Sequence, residues 1–237
     1  MRFFLLFGFL TLLLSNCAKQ KNNLNIQSNG QLTLIDSSSQ SKNLLYYSVI
    51  QNDCNYPIHF LGQNSDTIRL QKKHISIFGQ KVRGINDHMI ADSNNMTFFV
   101  DTFLNLSYTV DYQHYLDDGK TRIIDSTIDY KAFPIIIRNI SDSVLYISDC
   151  WNMDNVIRQV KTKNGIWRDI EKGGGNWHAM RCEPIFLEPN YILIAKLTLY
   201  KGDTKVECRL KYKNWKTYTF SNTFYDHLPQ KQFADPL

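Results

Sequence analysis

Thiols, imidazoles and paired carboxylates are the side chains of this 237-residue sequence that could do chemistry, and their spacing limits what that chemistry is. Five cysteines stand at Cys17, Cys54, Cys150, Cys182 and Cys208. No two form a C-x-x-C pair and none has metal-ligand spacing, so neither a zinc site nor thioredoxin-type exchange is supported. Cys54, Cys150, Cys182 and Cys208 are disulfide candidates whose pairing is open, because four cysteines allow three connectivities. Cys208, on the apolar face of an expected strand, fits a buried free thiol equally well. The six histidines (His59, His74, His88, His114, His178, His227) are scattered singly, which suits local hydrogen bonding or exposure better than ligation. Asp125 and Asp129 stand four apart in an expected strand and so share a face, yet two carboxylates without a pocket are not acid–base machinery. Asp117-Asp118 ahead of Gly119 reads as a hairpin turn in preference to a cation site. The sequence has no G-x-S-x-G elbow, no G-x-x-x-x-G-K-[ST] loop, no H-E-x-x-H and no EF-hand spacing. No catalytic residue, metal or cofactor is assigned, and a non-catalytic protein is expected.

The most suggestive loop is Gly173-Gly174-Gly175-Asn176-Trp177-His178. Three glycines permit close backbone approach, and Trp177 beside His178 fits stacking on a sugar ring or a partner side chain. A long hairpin connection with Trp177 folded onto the sheet accounts for the same residues. Trp151 and Trp167 read as core.

Cys17 has a different context. Met1-Arg2 carries one positive charge, Phe3 to Leu14 is an uncharged apolar run of 12 residues, and Leu14-Ser15-Asn16-Cys17 follows. A spanning helix needs about 20 apolar residues, so the run reads as the core of a signal peptide. Leu-Ser-Asn-Cys resembles a bacterial lipobox, which implies cleavage before Cys17 and acylation of its thiol and new amino group. Acyl chains contribute about 0.8 kcal/mol per buried methylene, enough for a stable anchor without a spanning segment. Residues 17–30 then read as anchor and flexible tether. Ala18 is not the Asp of inner-membrane retention, and no acidic cluster follows Cys17. The expected address is therefore the bacterial envelope, on the outer membrane facing the periplasm.

The composition, 43% hydrophobic and 21% charged, is that of a folded globular chain and excludes disorder and a polytopic membrane protein. With 18 Asp and 21 Asn against 6 Ala and 4 Glu, turn formers outnumber helix formers, and 13 Tyr and 14 Phe favour strands. Residues 17–130 hold 10 Lys/Arg and 11 Asp/Glu, and residues 131–237 hold 16 and 11, so the net positive charge lies in the second half. Part of it is on Lys205 to Lys213, where Val206, Cys208, Leu210 and Tyr212 alternate with charges. That outer face reads as a basic patch for an acidic glycan or lipid head group, or as a solvated face whose lysines discourage edge-to-edge pairing. The expected extracytoplasmic address argues against nucleic acid.

Period-two and β-rich segments predict strands at Leu32–Ile35, Leu44–Ile50, Thr67–Leu70, Ile75–Phe78, Thr97–Val100 and Leu106–Tyr115, then a hairpin through Asp117–Lys120 into Arg122–Asp125. Beyond residue 130 they predict Phe133–Ile140, with Pro134 allowed only at an edge or first position, then Val144–Ile147 and Val156–Lys161. The turn Asn164-Gly165 leads to Ile166–Ile170, and Met180–Leu187, Ile192–Tyr200, Val206–Tyr212 and Thr217–Asn222 complete the series. The expected organisation is a β-rich domain over 31–129, an immunoglobulin- or fibronectin-like sandwich over 130–226 and a tail over 227–237.

Several segments of the second half resemble a group of uncharacterised envelope lipoproteins of Bacteroidetes: Phe133–Asn139, Gly165–Glu171, Gly175–His178, Leu187–Asn190, Tyr200–Asp203, Arg209–Tyr212 and Phe220–Phe224. The resemblance covers about residues 130–235 and implies an envelope lipoprotein with a C-terminal β-sandwich and no established activity. The expected function is a lipid-anchored, non-catalytic binding or structural module that engages a protein or glycan through loops. A periplasmic inhibitor or immunity-type protein, and a hydrolase without a linear motif, are the alternatives.

Overall fold

The computed structural model describes residues 32–36, 41–46, 56–71, 89–116, 121–148, 153–171, 184–214 and 217–230. Among them the chain is all-β, with no helix. The first eight strands are β1 (Thr33–Asp36), β2 (Leu45–Tyr46), β3 (Ile58–Gln63), β4 (Thr67–Leu70), β5 (Met89–Ile90), β6 (Met96–Val100), β7 (Leu106–Tyr115) and β8 (Arg122–Asn139). They are followed by β9 (Leu145–Ser148), β10 (Val156–Lys161), β11 (Trp167–Asp169), β12 (Ile185–Leu187), β13 (Tyr191–Thr198), β14 (Tyr200–Lys201), β15 (Thr204–Asn214), β16 (Thr217–Phe220) and β17 (Phe224–Leu228).

Two five-stranded sheets face each other across one core. The first has the order β3-β13-β8-β6, with β7 pairing further along β8; the second has the order β11-β10-β15-β16, with β17 pairing further along β15. In each sheet one long strand serves two shorter ones on the same side. Ile58, Phe98, Ile135, Ile137, Leu193 and Leu197 of the first sheet meet Val156, Val160, Cys208, Leu210, Tyr212 and Phe224 of the second. Smaller ladders flank them, β12-β9-β5 and β14-β2.

The runs Ala132 to Ile137 and Ile192 to Ala195 are apolar without interruption because β8 and β13 are buried on both faces. Ile135 and Ile137 point into the main core. Ala132, Ile136, Ile192 and Ile194 point the other way, under a parallel β1-β4 pair that contributes Ile68 and Leu70. Each such isoleucine or leucine, fully buried, contributes about 1.5–3 kcal/mol.

Strands from both halves of the sequence share the first sheet. The expected boundary at 129/130 falls inside β8, β13 pairs with both β3 and β8, and residues 32–237 group as one compact unit. The sandwich is thus not confined to the second half. The expected tail also starts inside β17.

Pro134 lies within β8, opposite Lys196, and is accommodated by a gap. Its carbonyl accepts from the Asp101 N–H at 3.1 Å, between the end of β6 and the start of β7, so its missing N–H faces the place where the neighbouring strand is interrupted. Between β10 and β11, Gly165 alone of the Asn-Gly pair takes a positive φ, +79°, in a three-residue hairpin closed by Gly165 N–H to Thr162 O at 2.9 Å. The two sheets are also tied by a side chain: Asn222 accepts from Val100 N–H at 2.8 Å and donates to Val100 O at 2.9 Å.

Candidate functional site

Alternation along the second sheet fixes what its outer face carries. With Cys208, Leu210 and Tyr212 of β15 turned inward, Lys205, Glu207, Arg209, Lys211 and Lys213 turn outward. Cross-strand register then places Gln159 and Lys161 of β10, Trp167 and Asp169 of β11, Tyr218 and Phe220 of β16, and Tyr225 and His227 of β17 on the same face. Lys211 is paired on both sides, with Ile157 of β10 and Phe220 of β16, and guards no edge, whereas Lys205 has its ladder partner in β17 and Lys213 in β16.

The outer face is an interleaved set of cations and rings. The Arg209 guanidinium lies 4.3 Å from the Trp167 ring centroid and 3.9 Å from that of Phe220, while its Nε donates to Gln159 Oε1 at 2.8 Å. Gln159 in turn donates to Asp169 Oδ1 at 2.6 Å, and Asp169 takes Lys211 as its ion partner. Lys161 pairs with Glu207 at 3.0 Å and lies 5.7 Å from the Trp167 ring. Lys205 sits 4.6 Å over Tyr225 and Lys211 5.8 Å over Tyr218. Each exposed cation–ring contact contributes about 0.5–1 kcal/mol. The two carboxylates of the face are thus occupied by Lys161 and Lys211, and Lys205, Arg209 and Lys213 make no ion pair among the described residues. Tyr218 is 53% exposed, Phe220 43% and Tyr225 60%, large values for aromatic side chains on one sheet face. Trp167, expected in the core, belongs to this face, since it stands opposite Lys161.

Behind the face, inside the sandwich, lies a buried ionic cluster. Arg158, on the inward register of β10 between Val156 and Val160, is paired with Asp226 of β17. Its Nη2 donates to Thr198 O at 2.9 Å and its guanidinium stacks 4.2 Å from the Tyr200 ring. Arg158 Nε lies 3.3 Å from Glu171 Oε1, an ion-pair distance without hydrogen-bond geometry. Glu171 accepts from Tyr56 Oη, from Tyr200 Oη at 3.1 Å and from Arg158 N–H at 2.9 Å. Asp226 accepts from Tyr200 N–H at 3.1 Å and His227 N–H at 2.8 Å. Burial opposes the charge on Arg158, but Tyr56, Glu171, Tyr200 and Asp226 outweigh it and hold the guanidinium charged. Burial pushes the Asp226 carboxyl above its usual range, against Arg158 and those two N–H donors. The acceptors of Glu171 and Asp226 take protein donors, and the cluster joins strands of both sheets as a cross-brace.

A second buried cation, Lys196 on β13, donates to Asp36 Oδ2 at 2.8 Å and Ser107 O at 2.6 Å under the β1-β4 layer. Burial lowers its pKa, with Asp36 acting in opposition. A shallow cleft of about 290 Å³ lies alongside, between Leu34–Asp36 and Leu104–Ser107.

Cys17, Cys54, Cys150, Cys182, Trp151 and the loop Gly173–His178 lie outside the described residues. Cys208 is a free buried thiol, so it takes no part in a disulfide, and burial pushes it up to about 12. The Asp117–Lys120 turn, His74 and His88 also lie outside the described residues. His59 is buried, with Nδ1 2.8 Å from Gln71 O, and His114 pairs with Asp125 on the exposed hairpin at 2.8 Å. Asp125 and Asp129 do not act together. The β7-β8 register skips Asp125 as a bulge, and Asp129 accepts from Thr109 Oγ1 at 2.6 Å. Among the described residues no three His, Cys, Asp or Glu side chains converge as a metal site requires.

Arg158, Asp226 and Lys196 were not singled out by spacing, although each sits in the apolar register of a strand: Val156-x-Arg158-x-Val160, Phe224-x-Asp226-x-Leu228 and Ile192-x-Ile194-x-Lys196. No family model, curated protein or solved structure matches this chain.

Proposed function

We propose that this protein is a non-catalytic binding module of the bacterial envelope, held to the membrane by acyl chains on Cys17 and contacting its ligand through the outer face of the β11-β10-β15-β16/β17 sheet. The observation that carries the reading is the arrangement around Arg209. A guanidinium clamped between Trp167 and Phe220 and tied at Nε has its remaining donors fixed in direction, a geometry suited to recognition. The lipobox-like Leu14-Ser15-Asn16-Cys17 supports the address, and the resemblance to envelope lipoproteins agrees with it.

Amine-reactive footprinting tests the contact face, and acyl labelling tests the anchor. In the native envelope fraction Lys205 and Lys213 should be modified several-fold more slowly than in the purified protein, with the exposed Lys42 unchanged as the internal control. Equal reactivity of all three in both preparations would overturn the contact face. Labelled palmitate should enter the wild type and not Cys17→Ser; equal incorporation would overturn the anchor.

A further inference from the structure

We infer that the ligand of this outer face is an acidic polysaccharide, laid along β15 with its anionic groups on Lys205, Arg209 and Lys213. The inference rests on the binding-face reading above and adds the ligand's chemistry. These three cations stand four residues apart on the same side of a single extended strand, so they form a row with steps of about 13 Å. A row of separated charges matches a linear polyanion, whereas a small anion engages one of them at a time. Arg209 supplies the directional member. With Nε donating to Gln159 and the plane fixed by two rings, its Nη atoms present parallel donors that fit the two oxygens of a carboxylate or sulfate.

The rings decide between polyanions. Tyr218, Phe220 and Tyr225 flank the row and are exposed, offering apolar surface for the C–H faces of sugar rings beside the charged groups. They also lie face-on to neighbouring cations within the sheet surface, where an element that inserts into a bilayer projects its apolar side chains outward. Glu207 and Asp169, each committed to a lysine, keep the cations spaced in a row and not merged in one broad basic field.

The test uses the purified mature chain carrying Cys17→Ser, so that no acyl anchor inserts into vesicles, with polygalacturonate, neutral dextran and anionic phosphatidylglycerol vesicles as probes. Polygalacturonate should bind, dextran and vesicles should not, and affinity should fall at least tenfold between about 50 and 200 mM salt. Arg209→Lys should weaken binding roughly tenfold although charge is kept, because the fork is lost. Lys213→Gln, at an exposed position, should weaken it several-fold and lower the salt slope by about one. Polygalacturonate binding that is absent, or unchanged in both variants, overturns the inference. Preferential vesicle binding lost in the same variants also overturns it, in favour of a membrane-contact face. Protection of Lys205 and Lys213 in the envelope fraction without polygalacturonate binding leaves the binding face standing and removes only this ligand.

Discussion

Arg158 shows how one residue can brace a sandwich. Its guanidinium joins β10 of the second sheet to the Thr198 carbonyl at the end of β13 in the first, and to Asp226 and Glu171. Arg158→Met leaves two carboxylates buried without a cation and should cost about 3–5 kcal/mol, read as a lowered urea midpoint. Adding Glu171→Gln and Asp226→Asn should restore a good part of that loss, since no buried charge then remains. Cys208 gives a pH signature at the same scale. An unfolded thiol ionises near about 8.5, whereas the native one holds its proton up to about 12, so the native state binds more protons in between. That contribution is complete below about pH 8.5 and declines as pH rises, by up to about 1.4 kcal/mol per unit. The stability gap between wild type and Cys208→Ala, measured by urea unfolding, should therefore narrow between about pH 8.5 and 10.

At the scale of the element, turns and clasps hold the strands in register. A Cβ on Gly202, in the turn between β14 and β15, would stand 2.1 Å from the carbonyl carbon of Leu228. That atom is backbone and cannot rotate away, so Gly202→Ala should cost about 1–3 kcal/mol by thermal unfolding. Gly165→Ala meets nothing within 4 Å and should cost only about 1 kcal/mol, from the left-handed backbone alone. Asn222→Ala would leave both polar backbone groups of the buried Val100 unpaired, at about 1–3 kcal/mol. Alternation and turn chemistry were legible in the sequence here: Thr67–Leu70, Leu106–Tyr115 and Val156–Lys161 lie where the pattern puts them. β3 was not, because His59, Gly62 and Gln63 break the pattern of a strand whose Ile58 and Phe60 serve opposite cores. The Arg209 setting was only half legible. Period-two spacing shows the outward charges on β15, but Trp167 and Phe220 reach them by cross-strand pairing over distances in sequence that no local pattern encodes.

For the whole molecule, the sequence rhythm correctly indicates an all-β chain and misplaces its division, because a break at residue 130 is a change in charge and clarity of pattern and not a change of sheet. The fragment 130–237 lacks β3, β6 and β7, which pair along the edges of β13 and β8, and β1 and β4, which cover the second face of both strands. Expressed alone it should bind a hydrophobic dye and unfold without a sharp transition; a cooperative melt would reinstate a separate C-terminal module. The same sheet order bears on how the chain is made. β13 sits between β3 and β8, pairing Tyr191 with Gln63 on one side and Ile192 with Arg138 on the other, so two earlier strands must wait for a later one to slot between them. Until the ribosome delivers that segment, the Ile135–Ile137 stretch presents an unfilled edge to the cell. A nascent chain of this kind is open to wrong pairing at that edge, and its slowest step should be the arrival of a missing middle strand.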